Sequence, residues 1–269
     1  MATPYPQIVL FGDSIVRGAA DTWDGFCLQS ALQTYCIRRF DVVNRGLGGY
    51  NSSQALRVLP TIFEPLSPST PRLSHLVVLL GANDAALPRQ VDNQHVPLDK
   101  YEANLKRILT HPNIQVHTPK IILVTPPPLN GFHLGELERL GALDAATSRQ
   151  ARITDQYAEV ARRVAKAVPG VALVDMWSAV MDRAVEKTPG WDTSAGVLLG
   201  DEKDAKSKEG YLRELLTDGL HLTGESYRIF WDQLRPHIEL PPNAAETTEG
   251  WVVPDWKVAP CMKDDGSEE

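Results

Sequence analysis

Five short apolar runs constrain the fold of this chain more than any other feature. The first three end in polar or glycine-rich turns, and all five alternate with segments in which apolar residues recur at helical spacing. The runs are Ile8–Phe11, Phe40–Asn44, Leu76–Leu80, Lys120–Val124 and Val171–Asp175. Nearly continuous apolar strands are typical of a parallel sheet that is buried on both faces. The pattern therefore predicts an α/β protein, a three-layer α/β/α sandwich around a mainly parallel sheet of about five strands.

The segments between these runs are predicted to be helices that cover the sheet. They are Phe26–Arg39, a helix opened by Ser52 and Ser53, Leu98–Leu109, Gly141–Val168, Asp175–Glu186 and a final helix through Leu234. We expect Pro60 to kink or shorten the second of them. The segment Gly141–Val168 is interpreted as one long amphipathic helix. The polar, glycine-containing stretch Lys187–Gly210 is interpreted as a loop insertion.

The chain is predicted to form one domain followed by a tail. Hydrophobic residues make up 43% and charged residues 23% of the 269 positions, as is usual for a globular domain. We place the domain at residues 1–240. Residues 241–269 are Pro-rich and acidic, and we interpret them as a partly disordered tail. Trp251 and Trp256 are expected to dock on the domain, and Lys263–Glu269 to be disordered.

Charge and composition argue against several classes of protein. A net charge of −7 and the lack of a long basic run argue against a nucleic-acid surface. No apolar run approaches the length of a membrane span, and the residues before the first strand carry no basic leader. Cys27, Cys36 and Cys261 lack a metal or redox spacing, and the histidines are scattered. We therefore expect a cytoplasmic protein with reduced thiols, no membrane insertion, and no metal or other cofactor.

Polar or glycine residues follow three of the predicted strands. Ser14 follows the first, Gly48-Gly49 the second and Asn83 the third. Parallel strands share one carboxyl edge, so these residues are expected to converge there. Before the last helix, Asp218 precedes His221 by three residues, so a single loop can hold the carboxylate against the imidazole.

A hydroxyl, an imidazole and a carboxylate at one edge are the groups of a nucleophilic acyl-transfer site. Each residue alone has a simpler explanation. Ser14 and Asn83 could cap helices, and Gly48-Gly49 could serve backbone geometry alone. Asp218 could belong to an ordinary turn, and His221 could be a structural or surface histidine. Their joint occurrence favours the site.

Four blocks of the sequence resemble the SGNH (GDSL-type) esterase/lipase superfamily, over about residues 8–235. The blocks are Gly12-Asp13-Ser14, the glycine after the second strand, Gly81-x-Asn83-Asp84 and Asp218-x-x-His221. Within the superfamily, the chain is most similar to the isoamyl acetate-hydrolysing esterases. That similarity rests on Gly81-Ala-Asn-Asp-Ala85, Thr125-Pro-Pro-Pro-Leu129 and Asp218-Gly-Leu-His-Leu222.

The resemblance implies a flavodoxin-like fold and a serine esterase that works through an acyl-enzyme. Ser14 would be the nucleophile, and His221 would act as general base and then as general acid. Asp218 would hold the imidazole and stabilise its charged form. The oxyanion hole would comprise the backbone N–H groups of Ser14 and Gly49 and the side-chain amide of Asn83.

The resemblance also includes three motif residues to which we assign no direct catalytic role. Gly48 is the alternative to Gly49 if the glycine turn is registered one residue earlier. Asp13 and Asp84 belong to the motifs, but we expect them to hold loops by hydrogen bonds rather than to serve as the triad acid.

The implied substrates are small-molecule esters of short acids, acetate first, with small to medium apolar alcohols. Neighbours of the motifs are candidates for lining the pocket: Trp23, Leu47, Tyr50, Ala86, Leu129 and Leu220. Two alternatives stay open, an acyltransferase that uses the same acyl-enzyme and a non-catalytic binding protein on this fold. The oligomeric state also stays open, as does a lid formed by residues 187–210 or by the tail.

Overall fold

The structure, a computed structural model, describes residues 4–90, 93–141, 147–244 and 246–258. In these residues a five-stranded sheet has the strand order β2-β1-β3-β4-β5, and every neighbouring pair is parallel. The strands are β1 (Gln7–Gly12), β2 (Asp41–Gly46), β3 (Leu73–Leu79), β4 (Lys120–Val124) and β5 (Val171–Val174). The predicted fold class and all five strands are confirmed. β4 has the predicted bounds, and the ends of the others shift by a few residues.

Side chains that alternate along the central strands build two separate cores, one on each face of the sheet. On one face, Ile8 and Leu10 of β1 pack with Val77 and Leu79 of β3. The intervening residues point to the opposite face and join a second cluster there, among them Val9 and Phe11 of β1 and Leu76 and Val78 of β3. Because both faces are buried, the central strands are largely apolar, which explains why the sequence identifies them so directly.

Helices cover both faces of the sheet. They are α1 (Ser14–Gly18), α2 (Leu28–Tyr35), α3 (Ser52–Ile62), α4 (Leu98–Leu109), α5 (Pro112–Gln115), α6 (Gly131–Gly141), α7 (Ala151–Ala167), α8 (Met176–Lys187), α9 (Leu212–Leu215) and α10 (Gly224–Leu234). Short 3₁₀ turns lie at Thr193–Ala195 and Arg235–His237. Helix α2, helix α8 and helix α10 pack on the first core, and α3, α4 and α7 pack on the second. None of the helices in the described ranges is long and apolar enough to cross a bilayer.

Most predicted helices are present, with small differences at their ends. α4 has the predicted bounds, and α3 begins at Ser52 and ends at Ile62, soon after Pro60. Helices α5, α6 and α9 are additions that the apolar spacing does not indicate. Lys187–Gly210 contains one 3₁₀ turn and is otherwise irregular, in agreement with a loop.

The prediction that Gly141–Val168 forms one helix is wrong. Residues 142–146 lie outside the described part, and helix α7 begins only at Ala151, after non-helical residues 147–150. The chain is held there by tertiary hydrogen bonds. The backbone N–H of Leu87 donates to the carbonyl of Ser148 at 2.8 Å, for example. Such contacts override helix propensity, which is only a weak preference.

Residues 241–244 and 246–258 lie against the turn between α2 and β2, where they contact two arginines. Arg39 is buried, and its guanidinium donates to the carbonyls of Ala244, Thr247 and Glu249 at 2.8–2.9 Å. The guanidinium of Arg38 lies 4.0 Å from the ring centre of Trp251. Trp251 therefore docks as predicted, whereas Trp256 is 77% exposed and does not. The predicted disorder of Lys263–Glu269 lies outside the described residues, and the domain boundary at residue 240 stays a prediction.

We predict that Arg39→Met releases the segment after residue 240, because it removes all three hydrogen bonds to the segment's carbonyls. Limited chymotrypsin digestion should cleave at Trp251 severalfold faster than in the wild type, while the melting temperature of the domain changes little. Arg107→Met, at an exposed position of α4, is the matched control. Unchanged protection in Arg39→Met would show that other contacts hold the segment.

Candidate active site

Ser14 lies at the carboxyl end of β1 and is the first residue of α1. The preceding residue, Asp13, has an extended backbone, and its Oδ1 accepts a hydrogen bond from the N–H of Ile15 at 2.9 Å. Asp13 is therefore the N-cap of α1, and the alternative explanation of Ser14 as a helix cap is wrong. Because Ser14 is already inside the helix, its hydroxyl is available to another partner.

Asp218 and His221 lie in a tight loop between α9 and α10. Gly219, between them, has φ +86°, and a Cβ there would lie 2.6 Å from the carbonyl oxygen of Asn130. Both the backbone conformation and the lack of space therefore require glycine. Oδ1 of Asp218 accepts from the backbone N–H groups of Leu220 at 2.9 Å and His221 at 2.8 Å. The loop thus orients the carboxylate through its own backbone.

The side chains of Ser14, His221 and Asp218 form one chain of hydrogen bonds. Ser14 Oγ lies 2.8 Å from His221 Nε2, and His221 Nδ1 lies 2.6 Å from Asp218 Oδ2. Burial would raise the pKa of Asp218, but hydrogen bonds from the side chain and backbone of His221 hold it well below its usual value. The ionised carboxylate favours the tautomer with its proton on Nδ1, which leaves Nε2 to accept from the Ser14 hydroxyl.

Tyr227 of α10 fixes α1 against the loop that carries His221. Its buried hydroxyl donates to the carbonyl of Ile15 at 2.7 Å. Gly18 lies against the same hydroxyl, since a Cβ at Gly18 would be 2.5 Å from the Tyr227 oxygen. This contact joins residues that are 212 positions apart and sets the approach of α1 to α10.

Gly48 and Gly49 form the centre of a turn after β2. The N–H of Tyr50 donates to the carbonyl of Leu47 at 3.1 Å, and Gly49 has φ +79°, as the third position of a type II turn requires. The N–H of Leu47 donates to the carbonyl of Gly12 at 2.8 Å. The glycine turn is thus tied to the end of the strand that delivers Ser14.

Asn83 follows β3, is buried, and lies beside the glycine turn. Its Nδ2 donates to the carbonyl of Tyr50 at 2.9 Å, and its Oδ1 accepts from Arg149 Nη2 at 2.9 Å. The amide is therefore oriented at both ends, and among the described residues the carbonyl of Tyr50 is the one partner of Nδ2. The residues predicted to converge at this edge of the sheet do so, whereas the choice between Gly48 and Gly49 as an oxyanion donor stays a prediction.

Comparison with known proteins identifies the family. Residues 10–229 match the GDSL-like Lipase/Acylhydrolase family. The chain belongs to this family. It is a carboxylic ester hydrolase, and it is 33% identical over 238 residues to a GDSL esterase/lipase of Arabidopsis thaliana, covering 85% of this chain and 84% of the relative. It is 28% identical over 256 residues to the mouse isoamyl acetate-hydrolyzing esterase 1 homolog, covering 94% and 88%.

Solved structures share the fold at low sequence identity. A lipase/acylhydrolase from Enterococcus faecalis superposes with a TM-score of 0.56 at 20% identity, covering 87% of this chain and 95% of the other. The acetylxylan esterase Axe2 from Geobacillus stearothermophilus, solved as a catalytic mutant, gives 0.55 at 20% identity, with 88% and 97% covered. These likenesses support the fold of the GDSL hydrolase.

A small cleft of about 190 Å³ opens beside Ser14 and His221. Its lining comprises Ser14, Arg17, Gly18, Trp23, Thr217, Asp218, His221, Leu222 and Tyr227. Of the six candidates from the sequence, Trp23 lines this cleft, whereas Ala86 and Leu129 are buried in the protein interior. Among the described residues, neither the 187–210 segment nor the tail contributes to the lining.

Arg149 and Tyr227 are not among the site residues predicted from the sequence. Arg149 lies in the segment predicted to be one long helix, and Tyr227 lies on the last helix among ordinary core residues. No local pattern marks either one, because their partners Asn83 and Ile15 are 66 and 212 residues away. A polar residue on an otherwise apolar helical face was the one available signal for Tyr227.

Two motif carboxylates are buried under the site and hold backbone groups, as predicted. Asp13 caps α1, and the carboxylate of Asp84 accepts from the N–H of Ser52 at 3.0 and 3.1 Å, at the start of α3. Burial raises the pKa of Asp13 to about 7, and the neighbouring Asp84 adds to the rise. Burial likewise raises the pKa of Asp84 to about 6. Neither contacts His221 in the way that Asp218 does.

We predict that Asp13→Asn changes the pH dependence of stability. Between the pKa of about 4 in the unfolded chain and about 7 in the folded protein, folded Asp13 holds a proton that the unfolded chain releases. Wild-type stability therefore falls as the pH rises through this window. The Asp13→Asn variant lacks this effect, because a neutral amide does not titrate. The free energy of unfolding of the variant, minus that of the wild type, should increase by on the order of 1 kcal/mol for each pH unit in this window.

Urea denaturation at several pH values from 4 to 8 measures this difference. Asp41→Asn, at an exposed position of β2, is the control and should run parallel to the wild type. Parallel curves for Asp13→Asn as well would mean that Asp13 is ionised throughout the window.

Proposed function

We propose that the protein is a serine esterase of short-chain carboxylic esters that works through a Ser-His-Asp triad and an acyl-enzyme. The observation that carries the proposal is the hydrogen-bond chain from Ser14 through His221 to Asp218, which opens onto a small cleft. A serine hydroxyl bonded to an imidazole, which is in turn bonded to a carboxylate, is the arrangement that activates a serine nucleophile.

In the proposed reaction, Ser14 Oγ attacks the ester carbonyl while His221 Nε2 takes its proton. Asp218 stabilises the imidazolium that forms. His221 then donates this proton to the leaving alcohol, and an ester of Ser14 remains. A water molecule, deprotonated by His221, hydrolyses that ester and regenerates the hydroxyl.

The oxyanion of each tetrahedral intermediate would be bound by the N–H groups of Ser14 and Gly49 and by Asn83 Nδ2. The orientation of Asn83 supports its part, because one N–H bonds to the carbonyl of Tyr50 and the other meets no acceptor in the described part of the chain. The start of α1 adds a favourable dipole at Ser14. Each such donor contributes on the order of 10²–10³ in rate.

The dimensions of the cleft support small substrates. Its volume of about 190 Å³ is below the range of about 300–1,000 Å³ for sites that hold drug-sized ligands. Because His221 protonates the leaving oxygen, the alcohol lies on the His221 side, where Trp23 and Leu222 supply apolar walls. The likeness to relatives named as isoamyl acetate-hydrolyzing esterase homologs agrees with an acetyl ester of a small or medium alcohol.

We predict that Ser14→Ala abolishes hydrolysis of p-nitrophenyl esters, because no acyl-enzyme can form. In the wild type, kcat/KM should be highest for the acetyl ester and fall towards the octanoyl ester. Ser30→Ala, an exposed serine on α2, should retain full activity. Undiminished turnover by Ser14→Ala would refute the triad, and a preference for octanoyl esters would refute the short-chain assignment.

Product analysis in the presence of a competing alcohol tests the acceptor in the same assay. Hydrolysis predicts free acid as the main product at moderate alcohol concentration. Predominant formation of a new ester would instead favour acyl transfer, since acyl-enzyme formation alone leaves the acceptor open.

We also predict that Trp23→Ala widens the range of alcohols. Removing an apolar wall of the cleft should raise the ratio of kcat/KM for octyl acetate over ethyl acetate by about 10-fold, since each methylene contributes about 1–3 kcal/mol of discrimination. Gas chromatography of the released alcohols measures this ratio. Trp256→Ala, on an exposed tryptophan, is the matched control, and an unchanged ratio in Trp23→Ala would place the alcohol elsewhere.

A further inference from the structure

Arg149 lies directly behind Asn83, in the non-helical stretch before α7. It is only 8% exposed, and its guanidinium donates to four acceptors. Nε bonds to the carbonyl of Ala82 at 2.9 Å, and Nη1 to Ser148 Oγ at 3.1 Å. Nη2 bonds to Asn83 Oδ1 at 2.9 Å and to Gln94 Oε1 at 3.0 Å. All four of these acceptors are uncharged.

We infer that Arg149 is a positioning residue for the oxyanion hole, where it orients and polarises the Asn83 amide. This inference rests on the proposed function, and it adds a residue that the motifs of the sequence do not contain. An amide can present either its oxygen or its nitrogen to a site. A guanidinium has only donors, so its bond to Asn83 Oδ1 sets the orientation in which Nδ2 faces the reacting carbonyl.

The charge of Arg149 also acts through this bond. A cation that binds the oxygen of an amide withdraws electron density and makes the N–H a stronger donor, as in other polarised chains of hydrogen bonds. The effect is largest when the acceptor becomes an oxyanion, so it stabilises the transition state more than the bound ester. In a buried setting the charge is poorly screened by water.

The same guanidinium reaches the glycine turn. Gln94, whose Oε1 accepts from Arg149 Nη2, donates from Nε2 to the carbonyl of Gly49 at 2.8 Å. The backbone carbonyl of Gln94 accepts a hydrogen bond from Nδ2 of Asn51, the N-cap of α3, at 2.9 Å. Arg149 thus holds Asn83 directly and the residue Gly49 indirectly, through Gln94.

Burial of a guanidinium among neutral acceptors is costly for the folded protein. Desolvation lowers the pKa of Arg149, although Glu138, Asp13 and Asp218 counteract this. Removing a group from water in this way costs several kcal/mol before hydrogen bonds offset it. The four hydrogen bonds offset part of this cost, and they hold the positive charge against the oxygen of Asn83.

The test is a kinetic comparison of Arg149→Met and Arg149→Lys with the wild type, using p-nitrophenyl acetate. We expect kcat to fall by about 10- to 100-fold in Arg149→Met while KM changes little, because the group acts on the transition state. Arg149→Lys keeps the charge but not the planar set of guanidinium donors, so its kcat should lie between those of Arg149→Met and the wild type. Arg163→Met, at an exposed position of α7, is the matched control and should leave kcat unchanged.

A double-mutant cycle distinguishes positioning from a general structural role. Asn83→Ala alone should lower kcat by about 10²-fold. If Arg149 acts through Asn83, adding Arg149→Met to Asn83→Ala should lower kcat by less than about threefold more. Fully multiplicative losses, or a rise in KM at constant kcat, would overturn the inference.

Chemical rescue gives a second readout. Added guanidinium ion at millimolar concentration should restore part of kcat in Arg149→Ala, and should restore none in the Arg149→Ala/Asn83→Ala variant. Should the Met and Ala variants fail to fold by circular dichroism, Arg149→Lys carries the cycle with Asn83→Ala. If Ser14→Ala is inactive but Arg149 variants keep a wild-type kcat, the positioning role fails and the esterase proposal stands. If Ser14→Ala is active, the esterase mechanism itself fails.

Discussion

The parallel sheet is the constraint on which the rest of the structure depends. Its strands all present their carboxyl ends at one edge, and their paired backbones give the loops that leave this edge fixed starting points. In the order β2-β1-β3, the strand that delivers Ser14 lies between the strands that precede Gly49 and Asn83. Strand order thus places the proposed nucleophile near the two proposed oxyanion donors, since adjacent strands lie only about 5 Å apart.

Two further contributions depend on packing across the molecule rather than on strand order. His221 reaches Ser14 because α10 packs beside α1, where Tyr227 bonds to Ile15. Arg149 reaches Asn83 because the chain before α7 leaves the helical path and enters the protein interior. In both cases a buried polar group finds its partner far along the chain. Such a group strongly favours one arrangement, because any other leaves it unsatisfied.

Much of the fold and of the site was predictable from the sequence. Buried strands are apolar throughout, and the motif residues stand directly after them, so Ser14, Asn83 and the glycine turn could be assigned to one edge. Asp218 and His221 are only three residues apart, so their contact could be predicted from the local sequence. The helix predicted over Gly141–Val168 was wrong, because apolar periodicity cannot register the tertiary hydrogen bonds that interrupt a helix.

The sequence by itself determined the fold class, the family and the groups that meet at the carboxyl edge, because these follow from hydrophobic pattern and short motifs. Only the tertiary structure decided that Asp13, not Ser14, caps α1, and that the Ser14 hydroxyl faces His221. It also decided that Arg149 lies behind Asn83. The physical reason is the separation of the partners along the chain. A polar side chain can bond to an adjacent residue or to a distant one, and only the packed structure brings the distant partners within hydrogen-bond distance.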